Sequence, residues 1–149
     1  MNNSKRIWVW VGVVIVAVVV IMSFFWKPTA KSPTASGPTP VMAAQGQLVP
    51  EFPASLILDK SAVINGSYAI NYSANINQYT AEFNSSDTMA SAYAAYQQYL
   101  PANGWTITND IAKYSTSRGL SASNASSDLA VSIATANKGS QITITYVVK

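Results

Sequence analysis

The chain has 149 residues, the size of one ordinary domain. It carries nine Lys or Arg against six Asp or Glu, a net charge of +3, and contains neither His nor Cys. Those absences exclude disulfides, thiolate metal sites, Cys nucleophiles, lipid-modified Cys anchors, Ser-His-Asp triads and the usual imidazole base or metal ligand.

The first predicted element is a membrane span. After residues 1–6, expected to lie in the cytoplasm, Ile7 to Trp26 is a run of twenty uncharged residues broken only by Gly12 and Ser23. A helix of this length rises about 30 Å, the thickness of a bilayer's hydrocarbon core. Its Val and Ile content would suit a strand, but strands run only about 4–8 residues, and in lipid a single segment must satisfy its own backbone as a helix. Trp8 and Trp10 lie near one end and Phe24, Phe25 and Trp26 at the other, where interfacial aromatic residues sit. A cleaved signal peptide has about 7–15 apolar residues and a small-x-small site. Phe24-Phe25-Trp26-Lys27-Pro28 offers no such site. The expectation is a retained, single-pass anchor, residues 7–26, in the cytoplasmic (inner) membrane, with Lys5, Arg6, Trp8, Trp10, Trp26 and Lys27 at its interfaces. Lys5, Arg6 and the α-amino group flank one side, and a polar domain follows the other. The N-terminus is therefore expected inside and the C-terminal domain outside.

Residues 27–50 read as a linker. They hold five of the seven prolines, at 28, 33, 38, 40 and 50, among Ser, Thr, Ala and Gly. Proline removes donors and fixes φ, so a semi-extended stalk is predicted, reaching at most about 70 Å at about 3.1 Å per residue. A plain spacer is the simpler expectation; a glycosylated Ser/Thr-Pro stalk is the sharper one.

Residues 51–149 change character. Apolar and polar residues alternate through Tyr68, Ile70 and Tyr72; through Tyr79, Ala81 and Phe83; through Trp105 and Ile107; through Leu129, Val131 and Ile133; and through Ile142, Ile144, Tyr146 and Val148. Such a period predicts strands with one buried face in an antiparallel sheet. Asn65-Gly66, Arg118-Gly119 and Asn137-Lys138-Gly139 are the predicted turns. Between the strands, Met89, Ala92, Tyr93, Tyr96 and Leu100 share one helical face. Ser85 or Ser86 would cap that helix and Asp87 would favour its first turn, with Pro101 and Asn103-Gly104 marking its end. The expected fold class is α+β: a two-layer sandwich of one helix on a mainly antiparallel sheet, in the order ββ(β)αββββ. The last strand, Gln141 to Val148, is a candidate for an exposed edge where a partner strand could add, protection by charge or loops being the commoner arrangement.

The domain resembles a family of small extracytoplasmic domains of unknown function on bacterial lipoproteins and membrane-anchored proteins. Pro50-Glu51-Phe52-Pro53-Ala54 and the junction Tyr96-x-x-x-Leu100-Pro101-x-x-Gly104-Trp105 carry the resemblance, followed by a Thr/Ile-rich terminal strand. It implies an extracytoplasmic location and no known activity. The lipobox Cys of the lipoprotein members is absent, and the predicted transmembrane helix would replace it as anchor.

Candidate chemistry is sparse. The carboxylates Glu51, Asp59, Glu82, Asp87, Asp110 and Asp128 are expected as solvated surface groups, with Glu82 and Asp110 on the polar phase of their strands. Ser-Lys catalysis is the one nucleophilic mechanism the composition permits, through Lys60, Lys113 or Lys138, and no Ser-x-x-Lys signature supports it. Neither a phosphate loop nor a Ca²⁺ loop is present, so no cofactor, metal or catalytic residue is predicted. Tyr93 and Tyr96 are expected in the core, and Tyr99 and Tyr114 as surface partner-binding residues. Asn65, Asn71, Asn84 and Asn124 begin Asn-x-Ser sequons, which matter only in a glycosylating host. Lys5, Arg6, Lys27 and Lys31 flank the membrane run, whereas residues 51–149 balance five basic against six acidic residues, leaving −1. The basic excess thus belongs to the anchor, and nucleic acid is not an expected partner. The expected partners are the lipid bilayer, through residues 7–26, and a protein or cell-envelope polymer bound by a non-catalytic domain. The alternatives are a structural subunit of a membrane complex, or a Ser/Lys- or carboxylate-dependent hydrolase.

Overall fold

The computed structural model describes residues 38–73, 76–112 and 114–149. The expected membrane span, with Lys5, Arg6, Trp8, Trp10, Trp26 and Lys27, lies outside the described residues, as does most of the expected linker.

Seven strands form one antiparallel sheet: β1 (Val41–Met42), β2 (Val63–Ser73), β3 (Ile76–Ser85), β4 (Thr106–Ile111), β5 (Ser117–Ser123), β6 (Ser127–Thr135) and β7 (Ser140–Val148). Their spatial order is β1-β2-β3-β7-β6-β5-β4. Among the described residues one α-helix, α1 (Met89–Ala102), follows β3 and packs on one face of the sheet, so three strands precede it and four follow as a meander. The domain is an α+β sandwich, as the alternation predicts.

The helix forms where the periodicity places it, burying Ala92, Tyr93, Tyr96 and Leu100. Its cap differs from expectation. Thr88 Oγ1 accepts the Ser91 N–H at 3.2 Å, while Ser85 Oγ accepts the Asp87 N–H one turn earlier. Pro101 lies in the last turn, which closes in a Schellman ending: the Trp105 N–H donates to the Leu100 carbonyl at 3.0 Å and the Gly104 N–H to the Pro101 carbonyl at 3.3 Å. That geometry needs the positive φ of +79° that Gly104 adopts.

The register stacks the core in rows. Ala69, Tyr79, Tyr146, Leu129, Ala122 and Ile107 lie side by side, as do Ile64, Phe83, Ile142 and Ile133. The helix covers part of this face. Beside it runs the segment around a short 3₁₀ turn, Ala54–Leu56, which buries Val49, Phe52 and Leu56. Tyr96 joins the two, its buried hydroxyl donating to the Leu56 carbonyl at 2.7 Å. Tyr96→Phe leaves that carbonyl dry and unpaired. It is expected to lower the unfolding free energy by about 1–2 kcal/mol in urea titration, without changing the far-UV spectrum.

Several sequence expectations are corrected. Asn65-Gly66 is not a turn: β2 runs through it, absorbing the extra residue as a bulge between Ile64 and Gly66. That bulge resets the phase, so Ser67 and Ala69 face the core and Tyr68, Ile70 and Tyr72 face the other way. Ser67 is held there because its hydroxyl accepts the Val49 N–H and donates to the Thr80 carbonyl. Arg118-Gly119 is likewise inside β5, whereas Asn137-Lys138-Gly139 does lie between β6 and β7. β7 is not an edge strand. It sits between β3 and β6, and β1 and β4 are the edges. The folded chain also begins before residue 51, since β1 pairs with β2 and Val49 is buried.

Candidate functional site

The face of the sheet opposite the helix is covered by no described element. Two rows cross its middle. Tyr68, Thr80, Thr145, Ala130, Ser121 and Asn109 form one, and Gly66, Glu82, Thr143, Ser132, Gly119 and Ile111 the other. A third row runs from Ile70 through Gln78, Val147, Asp128 and Ser123 to Thr106. Most of these positions follow from strand alternation: on β3, β6 and β7 the residues between them fill the core, so they point to the opposite face. The result is a mixed surface of Ser, Thr, Asn, Gln and small side chains, with the carboxylates Glu82 and Asp128 and the apolar groups Met42, Tyr68, Ile70, Ile111 and Val147; Thr80, in its midst, is almost fully buried.

Hydrogen bonds fix some of its members. The Tyr72 hydroxyl donates to Gln78 Oε1 at 3.3 Å, and Gln78 Nε2 donates to Thr80 Oγ1 at 3.4 Å, so one chain of bonds orients the β2–β3 corner. Both carboxylates on this face are engaged. The Gln141 amide donates to Glu82, and Lys149 Nζ lies 2.7 Å from Asp128 Oδ1. Asp128 is thus ion-paired, whereas Glu82 is hydrogen-bonded by a neutral amide, which leaves its charge uncancelled.

The other polar groups mostly hold the fold. The Asp59 carboxylate accepts from the Ser61 N–H and hydroxyl, the Ser85 hydroxyl and the Ser86 N–H, tying the approach to β2 to the end of β3. These bonds, led by the Ser61 and Ser85 hydroxyls, hold its carboxyl well below the usual carboxylate range. Asp110 departs from its expected polar phase. A bulge between Ile107 and Asn109 turns it to the helix side, where it accepts from the Tyr93 hydroxyl and from Gln97 Nε2. Arg118 lies over the Tyr93 ring, 5.0 Å from its centroid. Burial, then the bond to Asp110, pushes the Tyr93 hydroxyl up to about 12. The bond to Glu51, then burial, does the same for Tyr79, which is also pushed up to about 12. Both tyrosines are neutral donors at physiological pH.

Of the two tyrosines expected to bind a partner, Tyr114 is 58% exposed, but Tyr99 packs against the core from the helix. Tyr99 lies near the helix end that leads into β4, and Tyr114 follows the far end of that strand, so the fold does not bring them together. Tyr93 and Tyr96 are buried, as expected. Lys60 and Lys138 are exposed, and Lys113 lies outside the described residues. Sequence reasoning missed Tyr68 and Tyr72 as surface residues because it took the large side chains of β2 for the core phase. The signal was in β6 and β7, whose phase opposite the core is Ser, Thr, Ala and Gln in almost every position.

Among the described residues no group of three or more Asp, Glu, His or Cys could hold a metal ion, and no helix is long and apolar enough to cross a membrane. No family model, curated protein sequence or solved structure matches the chain.

Proposed function

We propose that the chain is a single-pass protein of the cytoplasmic membrane, N-terminus inside, that presents a non-catalytic extracytoplasmic domain for binding a component of the cell envelope through the open face of its sheet. The observation that carries the binding role is the seven-stranded face that no described element covers, backed by a packed core on its other side. The anchor rests on the uncharged run from Ile7 to Trp26 and the tryptophans at its ends. The absence of His and Cys, together with carboxylates committed to holding the fold, favours binding over chemistry. The likeness to extracytoplasmic domains of unknown function supports the same location.

The absence of cysteine makes the test direct, because one introduced thiol is unique. A photo-crosslinker on Ser132→Cys, in the middle of the open face, is expected to yield a reproducible adduct in intact cells. The same group on Gln98→Cys, exposed on the helix, is expected to yield none. Equal or absent adducts at the two sites would count against the open face as the binding surface. Protease accessibility of the C-terminal domain in spheroplasts, compared with inverted vesicles, checks the orientation separately.

A further inference from the structure

We infer that β1 is the end of a longer edge strand: Pro40 and Thr39 add to it along β2, and the prolines, on its outer side, close that edge to any further strand. The segment that covers the edge belongs to this chain and is already joined to β1. The inference is independent of what the open face binds.

β2 runs eleven residues, Val63–Ser73, whereas β1 covers two of them, with Val41 opposite Ala69 and Met42 opposite Tyr68. In an antiparallel pair, opposed residues alternate between exchanging hydrogen bonds and turning their N–H and C=O groups away. The Ala43 N–H donates to the Ser67 carbonyl at 2.9 Å, so Val41 is of the bonding kind and Met42 of the other. Carried on by the same register, Pro40 falls opposite Ile70 and Thr39 opposite Asn71. Thr39 is then of the bonding kind, with an N–H for the Asn71 carbonyl and a carbonyl for the Asn71 N–H. Pro40, and Pro38 beyond it, fall where the N–H would point away from β2. A proline at a bonding position would stop the strand. At these positions it removes only a donor that an incoming strand would need.

The same sequence prepares the segment for pairing. A residue that precedes proline is pushed from helical to extended backbone, which holds Thr39 near strand geometry and lowers the entropy lost when it pairs. Side chains supply the attraction. Pro40 and Ile70 would form a non-bonded pair, the closer kind, with Cα atoms about 4.5 Å apart. They lie on the same side as Met42, which is 65% exposed, so the proline ring covers apolar surface that the two-residue strand leaves to water. The shift in register between Asn71 and Ser73 sets the limit, because β2 departs from regular pairing just past the partner of Thr39.

The experiment uses the purified full chain in detergent. The natural chain has no Cys, so two introduced thiols can pair only with each other. Thr39→Cys with Asn71→Cys is expected to form an intramolecular disulfide about tenfold faster or more than Thr39→Cys with Ser73→Cys, which lies one step out of register. All three positions are exposed, so neither pair disturbs the core. Amide exchange at Asn71 is expected to speed up by about tenfold or more in Thr39→Pro, which puts a proline at the bonding position, and to stay unchanged in Pro40→Thr. Equal oxidation of the two thiol pairs, or an Asn71 amide indifferent to Thr39→Pro, overturns the lengthened strand. Pro38→Thr combined with Pro40→Thr restores the missing donors and is expected to raise the yield of chemically crosslinked dimer above that of the natural chain. An unchanged yield overturns the closing of the edge by the prolines.

Discussion

Gly139→Ala is expected to unfold the domain, or nearly so. A Cβ at this position would lie 2.0 Å from the Ser85 carbonyl oxygen and 2.9 Å from the Ser86 carbonyl carbon, both backbone atoms that cannot swing aside. Gly139 also holds φ at +78° in the turn between β6 and β7. Left-handed backbone costs an L-residue about 1–2 kcal/mol, and overpacking a closed site adds typically about 1–3 kcal/mol. The next residue, Ser140, is fully buried and donates its hydroxyl to the Asp87 carbonyl at 2.9 Å, so the turn cannot slide away from the helix start. A combined loss of about 2–5 kcal/mol reaches, at its upper end, the whole stability of a marginal small domain. Thermal unfolding followed by circular dichroism reads the effect. Gly46→Ala is the control: its φ is +79°, but nothing lies within 4 Å of the added carbon. It isolates the backbone cost and is expected to lose only about 1 kcal/mol. Similar losses at the two glycines would show that the close approach to Ser85 does not decide the outcome.

Asp59→Asn is expected to be the most damaging polar substitution, costing about 2 kcal/mol or more. Each partner of the carboxylate is a donor: two backbone N–H groups and the hydroxyls of Ser61, Ser85 and Ser86. An amide in its place offers one oxygen and turns its own N–H₂ toward donors. The same bonds give the domain an acid limit. The folded carboxyl titrates below its ordinary value because the ionised form accepts these bonds. Its contribution is therefore complete above the unfolded pKa, about 4, and drains away as pH falls below that toward the folded value. Urea midpoints measured from pH 6 down to pH 3 are expected to fall for the natural chain and to fall less for Asp59→Asn. Parallel curves would mean that other carboxylates govern acid stability.

How far the sequence reveals this fold depends on the residue. The helix face from Met89 to Leu100 and the phases of β6 and β7 are legible because their apolar spacing is regular and nothing interrupts it. β5 is not, since Leu120 is its only large aliphatic residue and Arg118-Gly119 imitates a turn. Bulges defeat the period-two argument twice: one before Gly66 exchanges the faces of β2, and one after Ile107 sends Asp110 toward the helix. A bulge arises from how two strands match in length and twist, and a single strand's sequence carries no record of its partner. The buried serines are the same kind of case. Ser67, Ser85, Ser127 and Ser140 look like surface residues in sequence and are almost fully enclosed, each satisfied by a partner far along the chain. The open face could be anticipated only as the complement of the core, so its tyrosines were legible only once the register of β2 was known.

The place of β7 in the middle of the sheet governs how the domain can come into being. Its partner β3 is joined to it between Ser85 and Ser140 and between Asn77 and Val148, separations of 55 and 71 residues. Until the last strand of the domain is available, β2 and β3 form one hairpin and β4 to β6 another small sheet, each with a bare central edge and half a core. Neither part can mature ahead of the other, so the chain commits late and all at once, and such long-range pairing is slow. During that interval its exposed edges are templates for wrong pairing with other chains. A chaperone or a protease that meets the newly made chain would find its opportunity at those two edges, and β7 closes both in a single step.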